Sequence, residues 1–237
     1  MLHYEKRILQ SNRKVIEQIE ENPSLLLMMQ HFNVDFRFAD KTLKEIAEEI
    51  DISETLLLSI ANLYSGMKPR NNPVQSKKDL NKVLFFLKNS HNYYRNEKYP
   101  EIIQIIKKLQ EKHPTRELQL LEKFFEEYCT ELTEHLSYED EVAFPYFTRL
   151  IEGLDTKEFN YSATEYKDHH TDIEMKLRDF KNLLLKHINI EGDLAIRRKL
   201  LNSVLELEYD LYIHSLIEEN ILIPNGILIE KNNGNIS

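Results

Sequence analysis

The chain has a single cysteine, Cys129, so no internal disulfide can form and no cluster of thiolates can grip a metal. Glycine is scarce at five, tryptophan is absent, and the abundance of Leu, Glu and Lys favours helix over sheet. The longest apolar runs, such as "SLLLMM", fall far short of a membrane span. The start, "MLHYEKRILQSNRK", lacks the apolar core of a secretion signal. No basic cluster suited to a phosphate backbone occurs. With 31 basic against 40 acidic residues the net charge is −9, a field that repels nucleic acid and anionic membrane. These absences lead to the expectation of a helical, cytoplasmic protein with neither membrane nor nucleic acid as a partner.

What is present organises the chain. The stretch "GMKPRNNPVQSKK" gathers Pro, Asn, Gly and basic residues between helical patterns and reads as a connection. It divides a small helical N-terminal domain (1–70) and a linker (71–78) from a larger domain (79–224), with 225–237 as a tail. In the small domain, "TLKEIAEEIDISETLLLSIANLY" holds two short periodic segments, with Ser53 as a helix cap. The outline is that of a DNA-reading helix-turn-helix. Yet no Lys or Arg lies between Lys44 and Lys68, where a recognition helix would meet phosphates, so a packing or docking module is expected. In the larger domain, long helical patterns run from about Asp79 to Glu111 (with a bend at Pro100), Thr115 to Ile151, Asn160 to His187, and Gly192 to Leu222, the last stopped by Pro224. Short connections predict an all-α, up-down-up-down four-helix bundle.

Polar residues interrupt the apolar seams of these helices. The second helix reads Leu118, Leu121, Phe125, Tyr128, Leu132, then His135, Glu139 and Val142. The fourth reads Leu200, Val204, Leu207, Leu211, then His214, Glu218 and Ile221. Both His-x-x-x-Glu pairs occupy positions that aliphatic residues fill in neighbouring turns. Seam continuation points to His91 on the first helix, after Leu80, Leu84 and Leu87, and to His170 on the third, before Ile173, Leu177 and Phe180. His91 and His135 are equally far from their connecting turn. The other pairings agree to within about 8–9 Å.

Such polar groups in a core are costly unless paired or bound to metal. Four imidazoles and two bridging carboxylates supply two metals with two nitrogens and two oxygens each. A solvent-derived bridge makes five donors and leaves one open position per octahedral ion. Donors without sulfur suit iron or manganese, and an open position suits chemistry on a small ligand. His3, His31, His113, His169 and His187 lack comparable placement. Tyr94 reads as core packing, Cys129 as a small buried hydrophobe, and Asp140, Glu141 and Glu219 as solvated surface.

At "HLSYEDEVAFP" and "HSLIEENILIP" the sequence resembles the hemerythrin-like proteins, and within them the repair-of-iron-centres (RIC) family. That family's pattern is a lone His, a His-x-x-x-Glu, a second lone His and a second His-x-x-x-Glu. The matching positions here are His91, His135, Glu139, His170, His214 and Glu218. The resemblance implies an oxo- or hydroxo-bridged pair of iron ions, with manganese as the alternative occupant. It also implies a role in protecting or repairing iron–sulfur centres under nitric oxide and oxidative stress. NO, O2 or peroxide would be the ligands and damaged iron–sulfur proteins the partners, with catalytic turnover and a homodimer left open. Where many relatives carry a cysteine pair near the N-terminus, this chain has Arg37 and Phe38. Two further functions are compatible with the pattern: reversible oxygen or NO binding or sensing without turnover, and regulation through the N-terminal domain.

Overall fold

The computed structural model of the protein describes residues 8–168, 173–188 and 190–234. The fold is all-α, a helical bundle; among the described residues the sole β feature is an isolated bridge between Lys14 and Thr42. The chain divides into two compact units.

One unit takes in the described residues up to Ser90, then 142–168 and 213–234. Four short helices open it: α1 (Val15–Glu21), α2 (Leu25–His31), α3 (Leu43–Ile50) and α4 (Glu54–Leu63). Local signals set their ends. Thr42 and Glu45 form a reciprocal capping box at the start of α3, and Asp51 closes that helix in a left-handed conformation. Ser53 caps α4, as its position in the sequence predicts, accepting from the amide of Leu56. Helix α5 (Lys77–Tyr93) is fastened to this module at its first turn. There the buried Asp79 carboxylate accepts from the Ser53 amide and hydroxyl, at 2.9 and 2.8 Å, and from the Gln75 amide. Further along α5, Phe86 lies edge-on to the His31 ring and Asn89 donates to the His31 carbonyl. His31 is thus a structural residue of the module. The same unit holds α8 (Phe144–Glu152), α9 (Ala163–Asp168) and α12 (Ile223–Gly234), with α12 packed on both α8 and α9.

The other unit comprises 91–141 and the described residues of 170–212. Its helices are α6 (Tyr99–Lys112), α7 (Arg116–Tyr138), α10 (Ile173–Lys186) and the greater part of α11 (Leu194–Ile217). Helix α7 packs on α6 and α10. The seams expected from heptad spacing are buried: Leu118, Leu121, Phe125, Tyr128 and Leu132 on α7, Leu177, Phe180 and Leu184 on α10, and Leu200, Val204, Leu207 and Leu211 on α11. Phe125 and Phe180 meet at 4.9 Å between ring centroids. Burial of each such side chain stabilises the fold by about 1.5–3 kcal/mol.

Among the described residues, three of the long helices contain a five-residue π-turn: Tyr94–Lys98, Glu139–Ala143 and Glu218–Leu222. Each is followed by one residue and then a proline, at Pro100, Pro145 and Pro224. Proline has no amide hydrogen, and its ring collides with the carbonyl four residues back in an α-helix. The wider turn relieves this: the amides of Tyr99 and Ile223, just before their prolines, reach back five residues to the Tyr94 and Glu218 carbonyls. The proline then falls in the first turn of the next α-helical segment, where an amide is dispensable. The helix predicted to stop at Pro224 therefore runs on as α12. A proline after a π-turn continues a helix that a proline in a plain α-helix would end.

Candidate metal centre

In the unit built on α6, α7, α10 and α11, three of the expected ligands converge. His91 and Glu139 are fully buried, and His135 is 18 % exposed. The two oxygens of Glu139 face two imidazoles: Oε2 lies 3.2 Å from His91 Nε2, and Oε1 lies 3.0 Å from His135 Nε2. The four-residue spacing of His135 and Glu139 on one helix face produces the second contact.

The tautomer of His91 is set by its other nitrogen. Nδ1 stands 2.9 Å from Asp140 Oδ1, and since a carboxylate only accepts, Nδ1 carries the hydrogen. Nε2 of the neutral ring then presents a lone pair to Glu139 Oε2. Two acceptors 3.2 Å apart in a buried site require a cation between them, either a proton on the ring or a metal ion. Asp140 is itself fixed by Arg95, whose Nη1 donates to Oδ2 at 2.7 Å while Nη2 reaches Ser137 Oγ at 3.3 Å. Burial alone would raise the Asp140 carboxyl, but the hydrogen bonds from His91 and Arg95 and the charge of Arg95 hold it below its ordinary range.

The second His-Glu pair belongs to the other unit and repeats this logic with different partners. His214 Nε2 lies 3.2 Å from Glu218 Oε1, and both side chains are buried. Ser90 Oγ is 2.7 Å from the Leu87 carbonyl and 2.8 Å from His214 Nδ1. The serine hydrogen is used on the carbonyl, so Ser90 accepts from His214 Nδ1–H and directs the Nε2 lone pair towards Glu218. The buried Tyr166 hydroxyl donates to the same Glu218 oxygen. His91 with Glu139 in one unit, and His214 with Glu218 in the other, are buried nitrogen and oxygen donors, and such donors without sulfur suit a first-row transition metal.

His170 and its neighbour His169 lie outside the described residues, as does His3. His113 bonds Asp193 at 2.7 Å in a surface clamp with Lys112. The expectation that Asp140 is solvated surface is overturned, because Asp140 is half-buried and orients His91. Ser90, Arg95 and Tyr166 were not singled out by the sequence either. A carboxylate directly after the Glu of His-x-x-x-Glu, and a serine directly before a seam histidine, are the signals that could have marked two of them.

Residues 86–225 match the family described as "Hemerythrin HHE cation binding domain". No curated protein and no solved structure matches the chain.

Proposed function

The chain belongs to the hemerythrin HHE cation-binding family, and from that premise we propose that it holds a pair of iron ions and uses them on NO, O2 or peroxide in the protection or repair of iron–sulfur centres. The ligands in this reading are His91, His135, Glu139, His170, His214 and Glu218. The observation that carries it is the buried meeting of a histidine lone pair with a carboxylate, made by His91 with Glu139 and again by His214 with Glu218. Each of the two instances has a separate device fixing the histidine tautomer, the outer-partner arrangement that metal-ligating histidines almost always have.

When bound, the iron pair supplies redox chemistry and an open position for a small ligand. The chain's residues prepare the rest. Asp140 and Ser90 keep Nδ1 of His91 and His214 protonated, so that Nε2 is the donor. Tyr166 holds one oxygen of Glu218. Burial of both glutamates excludes bulk water and strengthens every charge interaction at the site. Arg37, paired with Asp35 on the surface, and Phe38 stand where many repair-of-iron-centres relatives carry a cysteine pair, so this reading assigns no part to such thiols.

Elemental analysis of the purified protein with an absorption spectrum tests the metal assignment. Two irons per chain with an oxo-bridge band in the near ultraviolet are expected; one zinc, or no metal after growth in iron-rich medium, overturns it. Restoration of a nitric-oxide-inactivated iron–sulfur enzyme by the iron-loaded protein tests the task, and failure to restore one removes the repair role.

A further inference from the structure

The π-turn at Tyr94–Lys98 is the odd member of its set. Counting back from the proline, Glu139, Glu218 and Tyr94 hold the same position, six residues before Pro145, Pro224 and Pro100. Two helices place a carboxylate there, and the first places a phenol, one turn after His91. That phenol is fully buried and donates to Asp210 Oδ2 at 2.9 Å, and Asp210 is itself buried. The adjacent Tyr93 ring lies 5.7 Å away between centroids, and its hydroxyl donates at 2.8 Å to Glu206, a carboxylate 46 % exposed. Lys98 pairs with Glu206 and Glu101 and lies 5.7 Å from the Tyr93 ring centroid.

We propose that Tyr94 and Tyr93 form an electron relay between the His91 side of the metal centre and the protein surface, with Asp210 and Glu206 as their proton acceptors. The proposal rests on the reading of the centre as redox-active iron. A buried phenol cannot lose an electron cheaply while it keeps its proton, because the product is an unsolvated cation. Transfer of that proton across one short hydrogen bond to a carboxylate leaves a neutral radical beside a neutral acid, so oxidation removes a buried charge instead of creating one. Tyr99 provides the contrast. It stacks on Tyr94 at 6.5 Å, but its buried hydroxyl has no hydrogen-bond partner among the described residues, so its proton has no place to go.

Atoms and electrons balance at each step. Tyr94 yields one electron to peroxide acting at the centre, and its proton moves to Asp210. The Tyr94 radical takes an electron from Tyr93 and recovers its proton from Asp210, while the Tyr93 proton moves to Glu206. A soluble one-electron reductant such as ascorbate restores Tyr93, which regains its proton from Glu206. Each pass carries one electron from ascorbate to the oxidant and returns each relay proton to its own phenol. Two passes break the O–O bond of one hydrogen peroxide, which takes two protons from solvent and leaves as two waters, while two ascorbate ions each release one proton and become ascorbyl radicals.

Freeze-quench EPR tests the relay in two arms. In the first, iron-loaded protein of verified metal content meets hydrogen peroxide. A tyrosyl radical is expected in the unaltered protein and in Tyr99→Phe. It is lost in Tyr94→Phe and in Asp210→Asn, which keeps a hydrogen-bonding side chain but removes the base. In Tyr93→Phe the radical forms and its reduction by ascorbate slows. In the second arm, metal-free protein meets a photogenerated ruthenium(III) tris-bipyridyl oxidant, and the radical yield is expected to fall in the Tyr93→Phe/Tyr94→Phe protein. Equal yields in unaltered and Tyr94→Phe protein in the first arm, or in unaltered and doubly substituted protein in the second, overturn the relay. Absence of bound iron removes the metal reading instead and leaves the second arm to decide the tyrosines.

Discussion

Asp140→Ala isolates the device that fixes His91. The substitution removes the acceptor 2.9 Å from His91 Nδ1 and the partner 2.7 Å from Arg95. His91 is fully buried, so bulk water cannot replace the lost oxygen. A hydrogen bond to a charged group contributes about 1.5–3 kcal/mol. By a separate route, loss of the outer partner of a ligating histidine costs about 10–100-fold in metal affinity, which is about 1.4–2.8 kcal/mol. The two figures agree, so nearly all of the hydrogen bond's worth is expected to appear in metal binding. Asp140→Asn should fall between the two proteins, since an amide oxygen can still accept from Nδ1–H but no charge remains for Arg95. The assay is a titration of metal-free protein with iron(II) against a chromogenic chelator, with the exposed neighbour Glu141→Ala as the control expected to change nothing. If Asp140→Ala binds iron as tightly as the unaltered protein, the tautomer of His91 is not set by Asp140 and the argument fails.

Ser90→Ala should weaken iron binding by about 1 kcal/mol in the same titration, because the buried His214 Nδ1–H loses its acceptor; an unchanged affinity would show that Ser90 does not orient the ring. Gly226→Ala places a methyl 2.5 Å from a carbon of the buried Phe147 ring, on the face where α12 meets α8 and α9, and should destabilise by about 1–3 kcal/mol in thermal unfolding. An unaltered melting temperature would mean that Phe147 yields freely. Burial pushes the Cys129 thiol up to about 12, so iodoacetamide at pH 8 should leave the native protein unmodified and alkylate it only when unfolded. The unfolded thiol ionises near its ordinary 9.0 while the native one stays protonated, so the native state loses stability as pH rises from 9 to about 12.

The seams of α7, α10 and α11 were legible because three-and-four spacing reports a buried stripe whatever the helices pack against. Ser53 was legible because a cap is a local event. Asp140 was misread for a geometric cause. A helical wheel turns about 100° per residue, so Asp140 sits beside Glu139 at the flank of the seam, and a carboxylate there reaches His91 on another helix, a partner that a count along one helix does not include. The stop placed at Pro224 has a different cause: the proline is visible in the sequence, but the wider turn before it depends on backbone hydrogen bonds that residue types alone do not disclose. Tyr166 was missed because its partner lies far along the chain.

Each of the three π-turns amounts to a single surplus residue that a proline locks in place. Removing one residue from Glu139–Ala143 would let the helix close into ordinary α geometry and swing every side chain beyond it about a quarter-turn or more around the axis. The chain length between His135 and Pro145 is therefore under tighter constraint than the identity of most residues within it. A one-residue deletion there should be far more damaging than any conservative replacement, which makes the spacing itself a heritable part of the site.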